Sequence, residues 1–233
     1  MQRLAIDERE DWREQAGACG FRFHTIGGAP YWDESAYYAF SLYQIENDIE
    51  DPSAELHAMA MGLVGEVVAS QELMERLAIP EPWRDWIADS WRRREPHLYG
   101  RLDLAYDGRG PAKLYELNYD TPTSLFEAAF FQWQWLEDQR SRGRLPDEAD
   151  QFNSLHETLV ETFAGMRQQL VPPLYFAAAG GSAEDQGTVD YLRDCAAQAG
   201  LQGQAIALAD IGLSDDGRFT ALDDTVIGSL FKL

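Results

Sequence analysis

The sequence predicts an α/β (α+β) chain in which residues 1–170 form helices around one antiparallel β-hairpin and residues 171–233 form a β-α-β unit. Three observations predict it. Apolar residues recur at three- and four-residue spacing through most of the first 170 positions. The period drops to two between positions 101 and 119. Val171-Pro172-Pro173 then closes the helical part, and short apolar runs alternate with a single helical pattern.

Asp51-Pro52 reads as a cap with proline at the first helical position, followed by Leu56, Met59, Ala60, Leu63, Val64 and Val67 on one stripe. Pro82 opens a second helix, with Trp83, Trp86, Ile87 and Trp91 on its apolar face and Arg92 to Arg94 at its end, where cations suit the dipole. These tryptophans are expected in the core. Arg101 to Asp107, the turn Gly108 to Pro111 and Lys113 to Tyr119 read as a hairpin. Leu102, Leu104, Tyr106, Tyr115, Leu117 and Tyr119 fall on one face; Arg101, Asp103, Glu116 and Asn118 fall on the other. A long helix follows from Thr121–Ser124 to Arg142, where Gly143 stops it. Ser154 and Glu157 form a capping-box pattern at the head of another. The last segment reads as a strand from Leu174, the turn Gly180-Gly181, a helix from Ser182 to Ala199, a strand from Gln204 and a third strand starting at Thr225.

Composition narrows the function. The chain has 233 residues, with 40 acidic against 19 basic side chains and a formal charge of −21. Nucleic-acid binding needs a basic face, so that class is disfavoured. At 45% hydrophobic and 12% aromatic the chain can bury a core. Cys19 and Cys195 form no C-x-x-C, and the acid-bearing N-terminus does not read as a signal peptide. No run approaches the roughly 20 apolar residues a membrane span needs. A soluble cytoplasmic protein is therefore expected. Lys113 and Lys232 are the only lysines, no P-loop motif occurs, and His24, His57, His97 and His156 lack metal-site spacing, so they are expected as surface or capping residues.

Three groups of residues could carry chemistry. Asp103, Glu116 and Asn118 are oxygen donors suited to a hard cation such as Mg²⁺, and the fork of Arg101 suits a phosphate; the same four residues also make an ordinary solvated strand face with an arginine–acid pair. Thr121 and Thr123 fit helix capping and equally the binding of an anionic group. Glu184 and Asp185 fit the first turn of a helix, where acids suit the dipole. If that turn binds a ligand, two acids favour an amine over a phosphate.

The runs YGRLDLAYDG, KLYELNYDTPTSLFEAAFFQWQWLEDQ and DQFNSL, with the earlier FHTIGGAPYWDESAYY, closely resemble the glutathionylspermidine synthase-like family. The likeness is nearest to members that lack the amidase domain and are described as acid–amine ligases. It covers essentially the whole chain, and its specific element is R-x-D…E-x-N-x-D-[ST]-x-[ST]. The E-x-N element also resembles the magnesium motif of eukaryotic-type glutathione synthetases. What the resemblance implies is an ATP-grasp ligase, in which the hairpin belongs to a permuted ATP-grasp-like domain and the β-α-β segment to a pre-ATP-grasp unit. Mg²⁺ would be held by Asp103, Glu116 and Asn118. Arg101, with Asp103, would contact ATP, and Arg101 would stabilise the transition state. Thr121 and Thr123 stand where glutathionylspermidine synthetases have serines touching glutathione. Glu184 and Asp185 fall near the acidic pair associated with glutathione and polyamine. The family continues beyond FKL into a segment that supplies ATP-binding lysines, so a truncated N-terminal part, separated from its C-terminal half and inactive alone, is expected.

The leading expectation is thus part of an ATP- and Mg²⁺-dependent carboxylate–amine ligase acting on small acid and amine substrates. The alternative is an acidic module that binds a polyamine or basic peptide without chemistry. A hydrolase using Asp103 and Glu116 as acid and base is disfavoured, because direct hairpin neighbours stand too close for an inverting pair.

Overall fold

The computed structural model describes residues 1–233 as a mixed α/β fold of seven α-helices and small sheets. In chain order the elements are β1 (Gln2–Ala5), α1 (Trp12–Ala18), β2 (Thr25–Ile26), β3 (Ala29–Pro30), β4 (Ala36–Ala39), α2 (Asp51–Val68), α3 (Gln71–Arg76), α4 (Glu81–Arg93), β5 (Arg101–Ala105), β6 (Lys113–Asn118), α5 (Gln132–Ser141), α6 (Leu155–Met166), β7 (Leu174–Ala178), α7 (Ala183–Gln198), β8 (Gly203–Ala207), β9 (Gly212–Leu213), β10 (Phe219–Thr220) and β11 (Ser229–Lys232). Two π-helical segments, Gln44–Glu50 and Glu127–Phe131, lead into α2 and α5. No helix is long and apolar enough to cross a membrane. The chain divides into two compact units, residues 1–2 with 38–117 and residues 3–37 with 118–233.

The first unit carries α2 to α4 and the β5–β6 pair. Asp51 is not a cap: helical backbone already runs through Gln44–Glu50, and Glu50 precedes α2 with helical angles. The start of α3 follows the rule that a hydroxyl satisfies an orphan amide, with Ser70 Oγ accepting from Leu73 N at 3.3 Å. Val67, Met74 and Ala88 make a small core, joined by Val68, Leu73 and Ile79. The expected burial of the two apolar stripes fails beyond it. Met59 and Leu63 on α2 and Trp83 on α4 are exposed, and Trp86 is 70% exposed. α4 approaches α2 near Gly65, where a Cβ would stand 3.8 Å from the Trp91 ring, while Trp83 and Trp86 pack edge to face on each other, 5.7 Å between centroids, and stay exposed. β5 and β6 pair as expected, and the link 106–112 is too short for a parallel crossover, which takes about a dozen residues.

The second unit is built on the parallel sheet β11-β7-β8. β7 is central and buried throughout, as a strand covered on both faces must be. The helix crossing between β7 and β8 is α7, which buries Val189, Leu192, Cys195 and Ala196 as its periodicity requires. Two boundaries and one cap differ from the sequence pattern. The third strand begins at Ser229, because Val226 bridges Thr220 and Ile227 N bonds Phe219 O at 2.9 Å, which commits that stretch to a separate small hairpin. The capping box at Ser154 does not form; Asn153 Oδ1 accepts from Leu155 N at 3.3 Å instead. The helix after Thr121 begins only at Leu125, because Ser124 takes a left-handed φ of 66°.

An aromatic cluster joins the N-terminal segment to the later helices. Phe21 is fully buried, 4.7 Å from both Phe23 and Phe131, and Trp32 stands 5.0 Å from Phe131. Beside it lies a buried ion pair. Arg9 and Glu34 both have fully buried side chains, joined through Arg9 Nη2 to Glu34 Oε1 at 2.5 Å and Nε to Oε2 at 3.0 Å. The other guanidinium nitrogen reaches Asp138 at 2.7 Å and Gln15 at 2.9 Å. Burial acts to lower the Arg9 pKa, but the bonds from Glu34 and Asp138 outweigh it and the net shift is upward. Removing one partner of such a pair strands a buried charge, at a cost of about 3–5 kcal/mol. Glu34→Ala is therefore expected to lower stability by about that amount in urea denaturation; a loss under about 1 kcal/mol would contradict this role.

Candidate functional site

The β5–β6 pair sets out the hairpin residues. Arg101 opens β5, and its fork clasps Asp103 two positions on, with Nε to Oδ1 at 2.6 Å and Nη2 to Oδ2 at 3.1 Å. Alternation along a strand puts them on one face, and both side chains are about one-third exposed. The bond from Arg101 holds the Asp103 carboxyl below the ordinary range, so it is ionised and acceptor-only at neutral pH. Glu116 is exposed and Asn118 half-buried, two residues apart on β6 and so again on a common face. The chemistry of this donor set fits a hard divalent cation, with two carboxylates and an amide carbonyl. No three His, Cys, Asp or Glu side chains gather anywhere in the chain in a way that could hold a metal ion. The hairpin's other face is not core: Tyr115 is 81% exposed, and Leu117 and Tyr119 are exposed too.

The turn end of this hairpin borders an open cleft of about 650 Å³ in the first unit, lined by Phe40, Tyr43, Gln44, Asp48 and the loop Gly108–Gly110. Tyr106 donates to the buried Asp48 at 2.6 Å, and Gln44 Nε2 holds the Gly108 carbonyl at 2.9 Å. Desolvation and Asp48 push the Tyr106 hydroxyl up to about 12. These bonds anchor the loop to the π-helical segment, at the strand ends opposite Arg101 and Asn118.

In the second unit, Thr121 is exposed and Thr123 half-buried in the non-helical lead to Leu125. Glu184 and Asp185 lie half-buried in the first turn of α7, which Ser182 caps, its Oγ accepting from Asp185 N at 3.1 Å. Gly187 lets this helix approach Phe23, whose ring would stand 2.6 Å from a Cβ there. The charge of Glu184 bears on two residues that the sequence reading passed over, Tyr31 and Glu127. The Tyr31 hydroxyl donates to Glu127 Oε1 at 2.6 Å and lies 3.2 Å from Ser124 Oγ. Glu127 is only 6% exposed, and its Oε2 has no hydrogen-bond partner. Burial raises the Glu127 pKa, and burial with the neighbouring Glu127 raises Tyr31 to about 12. A signal for Glu127 was present: it is a lone acid inside the apolar run Leu125-Phe126-Glu127-Ala128-Ala129-Phe130-Phe131.

Two other polar groups belong to packing. Cys195 is fully buried 3.9 Å from His156 Nδ1, but burial pushes its thiol up to about 11, which removes the thiolate a nucleophile needs. His156 is tied to Tyr191 at 2.9 Å and Gln198 at 3.1 Å, a structural use.

Residues 3–233 match the family model described as glutathionylspermidine synthase preATP-grasp. The chain is 38% identical over 231 residues, 97% of its length, to a Haemophilus influenzae protein named "Putative acid--amine ligase", of which it covers 57%. It is 28% identical over 107 residues to the bifunctional glutathionylspermidine synthetase/amidase of Escherichia coli, covering 45% of this chain and 17% of that enzyme. It is 29% identical over 84 residues to the trypanothione synthetase of Crithidia fasciculata, 36% of this chain and 13% of that one. The chain thus spans little more than half the length of the first relative and less of the others.

The Arg101–Asp103 clasp has a direct test. A carboxyl with a depressed native pKa adds stability above its unfolded pKa and loses it as pH falls through the native one. Carbon-detected NMR titration should place the Asp103 midpoint below the unperturbed value of about 3.9 and return it toward that value in Arg101→Ala. An unchanged midpoint in the variant would contradict the clasp.

Proposed function

The chain belongs to the glutathionylspermidine synthase-like family, and from that premise we propose that it forms part of an ATP- and Mg²⁺-dependent acid–amine ligase. The supporting observation is the bidentate Arg101–Asp103 clasp, set on the strand pair that also carries Glu116 and Asn118. In the proposed reaction a substrate carboxylate oxygen attacks the γ-phosphorus of ATP and ADP leaves. The amine nitrogen then attacks the acyl carbon, phosphate leaves with the carbon–oxygen electron pair, and the nitrogen loses its surplus protons to give the amide. Mg²⁺, held by Asp103, Glu116 and Asn118, would neutralise phosphate charge. Arg101 keeps the Asp103 carboxylate ionised, and the positive charge of its guanidinium suits the equatorial oxygens of the transferring phosphoryl group. Arg101 is thus assigned a catalytic role and, with Asp103, a place at ATP. Thr121 and Thr123 are assigned to the anionic end of the acid substrate, with Glu184 and Asp185 toward the amine. In this reading residues 1–170 supply the metal side within a permuted ATP-grasp-like arrangement, and residues 171–233 supply the pre-ATP-grasp β-α-β unit.

A second reading, an acidic module that binds a polyamine or basic peptide without chemistry, is favoured by one observation: the buried Glu127 carboxylate takes its side-chain hydrogen bond from a neutral group, the Tyr31 hydroxyl, at 2.6 Å. Calorimetric titration of Mg·ATP and spermidine, with ADP release assayed in a longer protein carrying this sequence, separates the two. The ligase reading expects amine-dependent ADP release. It also expects Arg101→Ala to reduce that release at least about 100-fold with the circular dichroism spectrum unchanged. Near-normal turnover in the variant would refute the role of Arg101, and spermidine binding with no ADP release in the longer protein would favour the module.

A further inference from the structure

Ser124 enters the helix that starts at Leu125 with a left-handed φ of 66°, a conformation that a Cβ makes costly. Such a backbone persists only where its surroundings impose it. A serine leading into a helix ordinarily stays extended and turns its oxygen onto an amide of the first turn. Here the Ser124 carbonyl accepts from Ala128 N at 3.3 Å, whereas the hydroxyl lies 3.2 Å from Tyr31 Oη. The Tyr31 hydroxyl gives its own proton to Glu127 Oε1 at 2.6 Å, so Ser124 is the donor in its contact with Tyr31. Two hydrogen bonds therefore run from Ser124 through Tyr31 to Glu127, within the second unit.

Both ends of this clasp are anchored. Tyr31 N and Trp32 N donate to His24 O at 3.0 and 3.1 Å, and Trp32 packs on Phe131 at 5.0 Å between centroids. Glu127 is 6% exposed and its Oε2 has no partner, so losing Tyr31 would strip a buried carboxyl of its side-chain hydrogen bond. The bond is costly to break, and Ser124 is the joint it sets. Thr121 and Thr123 stand immediately before that joint. The backbone angles of Ser124 steer this segment relative to the helix, so the clasp decides where the two threonine hydroxyls stand.

We propose that Tyr31 and Glu127 are positioning residues for the acid substrate. They hold Ser124 left-handed and so fix the Thr121–Thr123 segment, which receives the anionic end of that substrate. The inference rests on the ligase reading for the substrate, while the control of Ser124 by Tyr31 is independent of it. Acting through placement of a binding segment, the pair affects KM for the acid and leaves the chemical step alone.

Two measurements test this. NMR of the ¹⁵N-labelled chain reads Ser124 directly, because a left-handed φ brings a residue's amide and Hα protons close and gives a strong NOE between them. That NOE is expected in the wild type and is expected to weaken in Tyr31→Phe, which should fold because Tyr31 is 39% exposed. In a longer protein carrying this sequence, ADP release is followed with glutathione as the probe acid and spermidine as the probe amine. Tyr31→Phe and Ser124→Ala are expected to raise KM for glutathione at least about fivefold, with kcat and KM for ATP within about twofold of wild type. Adding Ser124→Gly to Tyr31→Phe is expected to recover at least about half of that loss, because glycine takes left-handed angles without a clasp. A general structural defect at Tyr31 would not be repaired at Ser124. An unchanged NOE in Tyr31→Phe, a KM for glutathione within about twofold of wild type in both single variants, or no recovery in the double variant overturns the proposal. Absence of ADP release by the wild-type longer protein overturns the substrate role together with the ligase reading, and the NOE then decides the clasp separately.

Discussion

The Arg9–Glu34 pair is the constraint on which the second unit depends. Two fully buried charges survive only when each is the other's partner and every remaining donor is met, and here the guanidinium is shared among Glu34, Gln15 and Asp138. That requirement joins residues before α1, the segment after β3 and helix α5 at one point. Trp32 adds its indole N–H to Glu34 Oε1 at 3.0 Å, and Arg9 stands over the Phe131 ring at 5.4 Å from its centroid. Tyr31 is the chain neighbour of Trp32, and Glu127 lies one helical turn before Phe131. The hydrogen bond between Tyr31 and Glu127 is therefore set by elements that the buried ion pair has already aligned.

The parts legible from sequence share a feature: the local pattern and the tertiary environment asked for the same thing. Alternation at Arg101–Ala105 and Lys113–Asn118 marked the hairpin, and Val189, Leu192, Cys195 and Ala196 are buried on α7 as their spacing requires. The fully apolar β7 ran where a central parallel strand must. Failures arose where a partner had to be assumed. The stripe on α2 and the tryptophans on α4 have helical spacing, but burial is confined to a few positions near Val67 and Ala88, and Trp83 and Trp86 pack on each other while staying exposed. Asp51 looked like a cap because Pro52 follows it, yet proline is equally tolerated in the first turn after a π-helical lead, so the dipeptide did not mark the start.

The same distinction separates the two sets of site residues. Arg101 and Asp103 lie two apart on one strand, and a two-residue period alone places them within reach of each other. Tyr31 and Glu127 are far apart in the chain, and their 2.6 Å contact is a product of the fold. Glu127 could have been flagged as an acid in an apolar run, but nothing in its surroundings in the sequence identifies Tyr31 as its partner.

Paramagnetic NMR most directly tests the proposal that Asp103, Glu116 and Asn118 of the hairpin hold a divalent cation. During addition of Mn²⁺ to the ¹⁵N-labelled chain, signal loss should appear first at residues 101–103 and 116–118 and should vanish from both strands in Asp103→Asn. Broadening that spreads evenly over the acidic surface, or that persists on the hairpin in Asp103→Asn, would contradict a cation site there.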